Sequence, residues 1–121
     1  MPHCILEYTD NIKDSPDYTE LLKNLHQFLL DTGLFKLNDI KSRVIRHDIY
    51  RIGDGDPRRA FVTLNIQIMD GRSDQVKTNI ATKAAELLKR YYPESFKNNL
   101  FNLTVQVTDI HRPSYTRLLS E

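Results

Sequence analysis

The sequence has a single cysteine, Cys4, which excludes an internal disulfide and a cysteine-only metal site and fits a reducing cytoplasm. It has no excess of charge: 17 Lys and Arg stand against 16 Asp and Glu. No global field therefore draws the chain to nucleic acid or to a membrane surface, and its basic residues matter only where they converge. No apolar run approaches the roughly eighteen residues of a membrane span, and no charged start leads into an apolar signal core. The histidines at positions 3, 26, 47 and 111 lack metal-ligand spacing. There is no glycine-rich phosphate loop and no nucleophile elbow. The expectation is one soluble, cytoplasmic domain over residues 1–121, with no metal and no cofactor.

Glycine and proline are scarce and well placed. Gly33, Gly53, Gly55 and Gly71, with Pro2, Pro16, Pro57, Pro93 and Pro113, all fall between periodic segments. From Pro2 to Tyr8, residues 4, 6 and 8 alternate with 3, 5 and 7, which predicts a strand. Asp14 or Ser15 before Pro16 predicts a helix start. Tyr18, Leu21, Leu22, Leu25, Phe28 and Leu29 then form one apolar face, and Gly33 marks the stop. Ser42 to Ile52 and Ala60 to Met69 predict two strands around the turn from Gly53 to Pro57. Ser73 predicts the cap of a second helix that faces inward through Val76, Ile80, Ala84, Leu87, Leu88 and Tyr91 and ends before Pro93. Leu103, Val105 and Val107 mark a last strand, and a tail runs from His111. The order β-α-β-β-α-β, with a right-handed crossover in each half, predicts an α+β fold of two layers: a mixed four-stranded sheet with both helices on one face.

The chain begins Met1-Pro2-His3. Removal of the initiator methionine before a residue as small as proline would leave Pro2 with a free secondary amine on a rigid ring. An α-amino group starts near pKa ~8. Burial and neighbouring cations push it toward the pH at which a general base works best. Retained Met1 would acylate that nitrogen and remove the base.

The stretch from Pro2 to Ile12, PHCILEYTDNI, resembles the start of the 5-carboxymethyl-2-hydroxymuconate isomerases, a branch of the tautomerase superfamily. Two further segments are similar to that family. Thr32-Gly33-Leu34-Phe35 through Ile40-Lys41-Ser42-Arg43-Val44 resembles its T-G-I/L-F…I-R-S-R-V pattern, and Asp70-Gly71-Arg72-Ser73 resembles its G-R-S. The resemblance implies a doubled β-α-β fold, a homotrimer, an amino-terminal proline as catalytic base and no cofactor. It implies a carboxylated dienol as substrate, such as 5-carboxymethyl-2-hydroxymuconate, in catabolism of an aromatic acid.

Carried onto this chain, Pro2 is the candidate base. Arg72 is the leading candidate for holding substrate carboxylates, since a guanidinium forks onto a carboxylate and a helix N-terminus favours anions. Lys41 and Arg43 are further candidates. Lys41 departs from the family arginine, keeping the charge but losing the fork. Each cation has a plainer rival role as a solvated surface charge, His3 as a residue that packs or caps the first strand, and Arg46 and His47 as decoration of an exposed strand face. A superfamily relative acting on another enol or oxo-acid is the first rival function. A non-catalytic ligand- or RNA-binding module is the second, because Arg51, Arg58 and Arg59 flank the central turn.

Overall fold

Residues 1–120 are described by a computed structural model. The first strand, β1, spans His3–Thr9, with Cys4 and Leu6 turned to the core at the period of two. The first helix, α1, spans Tyr18–Asp31 and buries Leu21, Leu25 and Leu29 at four-residue steps. Each fully buried leucine contributes about 1.5–3 kcal/mol relative to an exposed one. That exceeds the roughly 1 kcal/mol of a helix cap, so packing holds α1 to the sheet and its cap only fixes where it begins. Gly33 follows it with φ of +76°, in the left-handed region that ends a helix at low cost.

The second strand, β2, spans Lys41–His47, and β3 spans Arg59–Met69. The second helix, α2, spans Asp74–Lys89, and Ser73 caps it by accepting the Val76 N–H at 3.2 Å. A short helix, α3, spans Pro93–Asn98, and β4 spans Leu100–Ile110. The sheet order is β2-β1-β3-β4, with β1 parallel to β2, antiparallel to β3, and β3 parallel to β4. One apolar cluster unites Leu21, Leu25 and Leu29 of α1 with Ile80, Ala84 and Leu88 of α2. It also takes in Cys4 and Leu6 of β1 and Val62, Leu64, Ile66 and Ile68 of β3, so both long helices cover one face. The expected α+β architecture is the observed one.

Two local expectations are corrected, and one element is added. The cap of α1 is Asp17, which accepts the Glu20 N–H at 3.3 Å. Asp14 instead caps α3, accepting from the Glu94 N–H at 3.1 Å, the Ser95 N–H at 2.7 Å and the Ser95 hydroxyl at 2.6 Å. The second helix ends before Pro93 as expected, and that proline opens the added element, α3, where its missing N–H costs nothing. Finally, β2 ends at His47 rather than Ile52. Its only partner, β1, runs out at Thr9, which pairs with His47, and the Asp10 N–H closes the ladder on the His47 carbonyl at 3.0 Å. The residues that follow find no strand to pair with.

The face away from the helices carries His3, Ile5 and Glu7 of β1, Arg43 and Ile45 of β2, and Thr63, Asn65 and Gln67 of β3. Its side chains are tied in rows. Glu7 meets His47 at 2.8 Å, Thr104 donates to Thr63 at 2.8 Å, and Thr108 donates to Asn65 at 3.0 Å.

Candidate active site

The strand registers bring four segments to one end of the sheet. His3 pairs with Lys41 at the start of β2 and with Gln67 near the end of β3, while Met69 pairs with Ile110 at the end of β4. This end therefore collects Pro2, Lys41, the Asp70-to-Ser73 loop and the tail that begins at His111.

Pro2 is fully buried, and its carbonyl accepts the Lys41 N–H at 3.0 Å. That bond extends the parallel ladder by one residue and fixes the ring against β2. Met1 is in place before it. Burial holds the Met1 amine below its ordinary value; the Asp39 carboxylate pulls it back up, and the charges of Lys41 and Arg117 press it down.

Arg72 lies between Gly71, whose φ is +106°, and the cap of α2. Its guanidinium donates to the Leu34 carbonyl at 3.2 Å and sits over the Phe35 ring, 5.4 Å from the centroid. Two of the three sequence segments singled out above thus meet in space. Lys41 is exposed, with Nζ donating to the Asp39 carbonyl at 3.4 Å. Arg43 is also exposed, and Nη1 lies 3.3 Å from His3 Nδ1. Burial, then the charges of Arg43 and Lys41, hold the His3 imidazole below its ordinary value, so its free nitrogen accepts from Arg43. The structure brings Lys41 to Pro2 through the backbone and Arg43 to His3. It seats Arg72 on the loop after α1 rather than on Pro2.

Two clefts of the single chain lie along α1. One of about 450 Å³ runs between α1 and α2, lined by residues including Phe28, Leu34, Val76 and Lys83. Another, of about 490 Å³, borders α1 and Ser42, where His26 Nε2 lies 2.5 Å from the Ser42 hydroxyl. Burial pushes the Cys4 thiol up to about 11, so it carries no thiolate at neutral pH.

Two charged residues at the Pro2 end went unread in the sequence. Arg117 donates to Asp39 at 2.7 Å across 78 residues of chain. No spacing announces such a pair. Its one sequence signal is a cation on a tail of otherwise unassigned role. In the single chain Arg117 folds back onto Asp39, while Leu118 remains 93% exposed. Two of the arginines that flank the central turn are engaged in ion pairs. Arg58 pairs with Asp56 and Arg59 with Asp54, both at 2.8 Å, and these bonds hold the two carboxyls below their usual range.

A mixed four-stranded sheet in the order β2-β1-β3-β4 with two helices on one face defines a tautomerase-like fold. The sequence profile described as 5-carboxymethyl-2-hydroxymuconate isomerase matches residues 2–117, and the chain belongs to that family. It is 31% identical over 111 residues to the 5-carboxymethyl-2-hydroxymuconate Delta-isomerase of Escherichia coli, covering 92% of this chain and 88% of that protein. It is 30% identical to the crystal structure of a 5-carboxymethyl-2-hydroxymuconate isomerase from Deinococcus radiodurans R1, with a TM-score of 0.88 over 97% of this chain and 88% of the other. A solved structure described as a fused 4-OT wild-type symmetric trimer shares the fold at 16% identity, with a TM-score of 0.72 over 95% of this chain and 90% of that one. Among the described residues, no helix is long and apolar enough to cross a membrane.

Proposed function

We propose that this chain is a cofactor-independent isomerase that moves a proton within a carboxylated dienol such as 5-carboxymethyl-2-hydroxymuconate, in catabolism of an aromatic acid. The observation that carries this reading is the burial of Pro2, fixed to Lys41 at the sheet end, in a chain of this family. Once Met1 is removed, the burial of Pro2 favours the neutral amine, which is the form a base requires. Lys41 and Arg117, whose charges press down the Met1 amine, act the same way, and the Asp39 carboxylate acts against them.

In the reaction, the neutral amine takes the enol hydroxyl proton. The oxygen's electrons form the new carbonyl, the double bonds shift, and the protonated amine returns the proton to a distant carbon. The product is an unsaturated ketone, and the amine is neutral again. Arg72 is the main carboxylate-holding group, its fork made rigid by Leu34 and Phe35. Lys41 is a helper and Arg43 a further one. A homotrimer whose other subunits complete the pocket around Pro2 belongs to this reading. The open sheet face and the exposed Ile45 on edge strand β2 are the surfaces suited to that assembly.

Lys41 supports one second reading, a superfamily relative acting on another enol or oxo-acid, because lysine lacks the fork of the family arginine. The ion pairs of Arg58 and Arg59 with Asp56 and Asp54 weigh against an RNA-binding module.

Intact mass spectrometry beside ultraviolet decay of the dienol tests the proposal. Activity should track the fraction of protein that has lost Met1. Full activity in protein that retains Met1 would contradict it.

A further inference from the structure

The tail after β4 is tied down at both ends. Its first turn, Arg112–Ser114, is gripped by Asp70: the Arg112 N–H donates to that carboxylate at 3.2 Å, and its guanidinium reaches the Asp70 carbonyl at 3.0 Å. His111 Nδ1 lies 2.9 Å from the Ser114 hydroxyl and closes the turn. Asp70 opens the loop that carries Arg72, so the tail starts beside the proposed anion-holding group. From there the chain crosses the ends of the strands and delivers Arg117 to Asp39 on the far side. Asp39 stands two residues before Lys41, whose Nζ donates to the Asp39 carbonyl and whose N–H donates to Pro2. The tail therefore straps the sheet end at which Pro2 sits.

We propose that Arg117 is a further substrate-binding residue of the Pro2 site, held ready by Asp39 and passed to a substrate carboxylate when one enters. This rests on the isomerase reading above. Arg112 holds the start of the tail through three contacts with Asp70, and Arg117 meets Asp39 at a separate point, on the side of the sheet end that carries Lys41 and Pro2. Asp39 and Arg117 are both partly exposed, at 21% and 40%, so the pair can exchange its carboxylate for another without exposing a buried charge. Asp39, Lys41 and Arg117 all act on the charge of the amine at the amino terminus, directly before Pro2. A polycarboxylate needs more than one cation. Arg72 faces Leu34 and Phe35, Arg43 is turned to His3, and Lys41 offers no fork, so Arg117 supplies a further planar one.

The test is steady-state kinetics of Arg117→Ala, Arg117→Lys and Asp39→Asn on the dienol of 5-carboxymethyl-2-hydroxymuconate, with Pro2→Ala as reference. Loss of a charge-assisted hydrogen bond should raise KM roughly tenfold or more in Arg117→Ala, with kcat changed far less. Arg117→Lys should recover part of that. Asp39→Asn breaks the same ion pair but keeps the guanidinium, so its KM should stay at or below the parent value. If Asp39→Asn raises KM as Arg117→Ala does, the pair only secures the tail and the proposal is overturned. An unchanged KM in Arg117→Ala overturns it too, while activity abolished by Pro2→Ala leaves the isomerase reading standing. A parent protein that leaves the dienol untouched defeats the isomerase reading itself, and this proposal with it.

Discussion

The Arg72 guanidinium and the Leu34 carbonyl, 38 residues apart in the chain, are joined by a hydrogen bond of 3.2 Å. The bond links the loop that closes α1 to the loop that opens α2. It holds the arginine's fork in one orientation over the Phe35 ring, so little side-chain freedom remains to be lost when an anion binds.

Replacing Arg72 should accordingly damage catalysis more than folding. In Arg72→Ala, kcat/KM on the dienol is expected to fall by about a hundredfold, the scale of one lost electrostatic donor. Stability should change by about 1 kcal/mol or less, since the Leu34 carbonyl can turn to water. Arg72→Lys should restore only part of the activity, because lysine presents no fork. Kinetics beside urea unfolding separate the two effects, and equal activity in parent and Arg72→Ala would remove the residue from the site.

Asp14 gives a prediction about stability alone. Its carboxylate satisfies two backbone N–H groups at the start of α3 and the hydroxyl of Ser95, which is buried. Asp14→Ala should cost about 1–3 kcal/mol, combining a lost cap with a buried hydroxyl short of its acceptor. Denaturant unfolding measures it. A loss below about 0.5 kcal/mol would mean that water replaces the carboxylate without penalty.

A pH dependence follows from His26, which burial holds below its ordinary value beside Ser42. A histidine whose folded pKa is depressed contributes its full stability above the unfolded value of about 6.5 and loses it as pH falls through the folded value. His3 acts in the same direction. Urea unfolding at stepped pH should therefore show stability falling below about pH 6.5. In His26→Gln that fall should be shallower. An unchanged slope would mean that His26 is protonated as easily in the folded chain as in the unfolded one.

The parts of the fold that could be read in the sequence are those whose cause is local. The alternation from Ala60 to Met69 marks β3 because this strand, flanked on both sides, buries every second residue. Ser73 is legible as a cap because its bond to Val76 spans three residues. Asp14 is not, since its partners lie 80 and 81 residues away. The end of β2 is equally hidden: Ile49 and Ile52 continue a strand-like composition, and only the length of β1 cuts the pairing at His47. Among the candidate site residues, Pro2, Arg72, Lys41 and Arg43 are visible through short segments similar to a known family. Arg117 and Asp39 are not, because their pairing depends on the path of the tail across the sheet end.

The most direct measurement is the ultraviolet decay of the dienol of 5-carboxymethyl-2-hydroxymuconate with purified protein lacking Met1, beside Pro2→Ala with Met1 likewise removed. Fast decay in the parent and near-background decay in the variant is the expected result. Equal decay in the two proteins would take the proton transfer away from Pro2 and contradict the proposed mechanism.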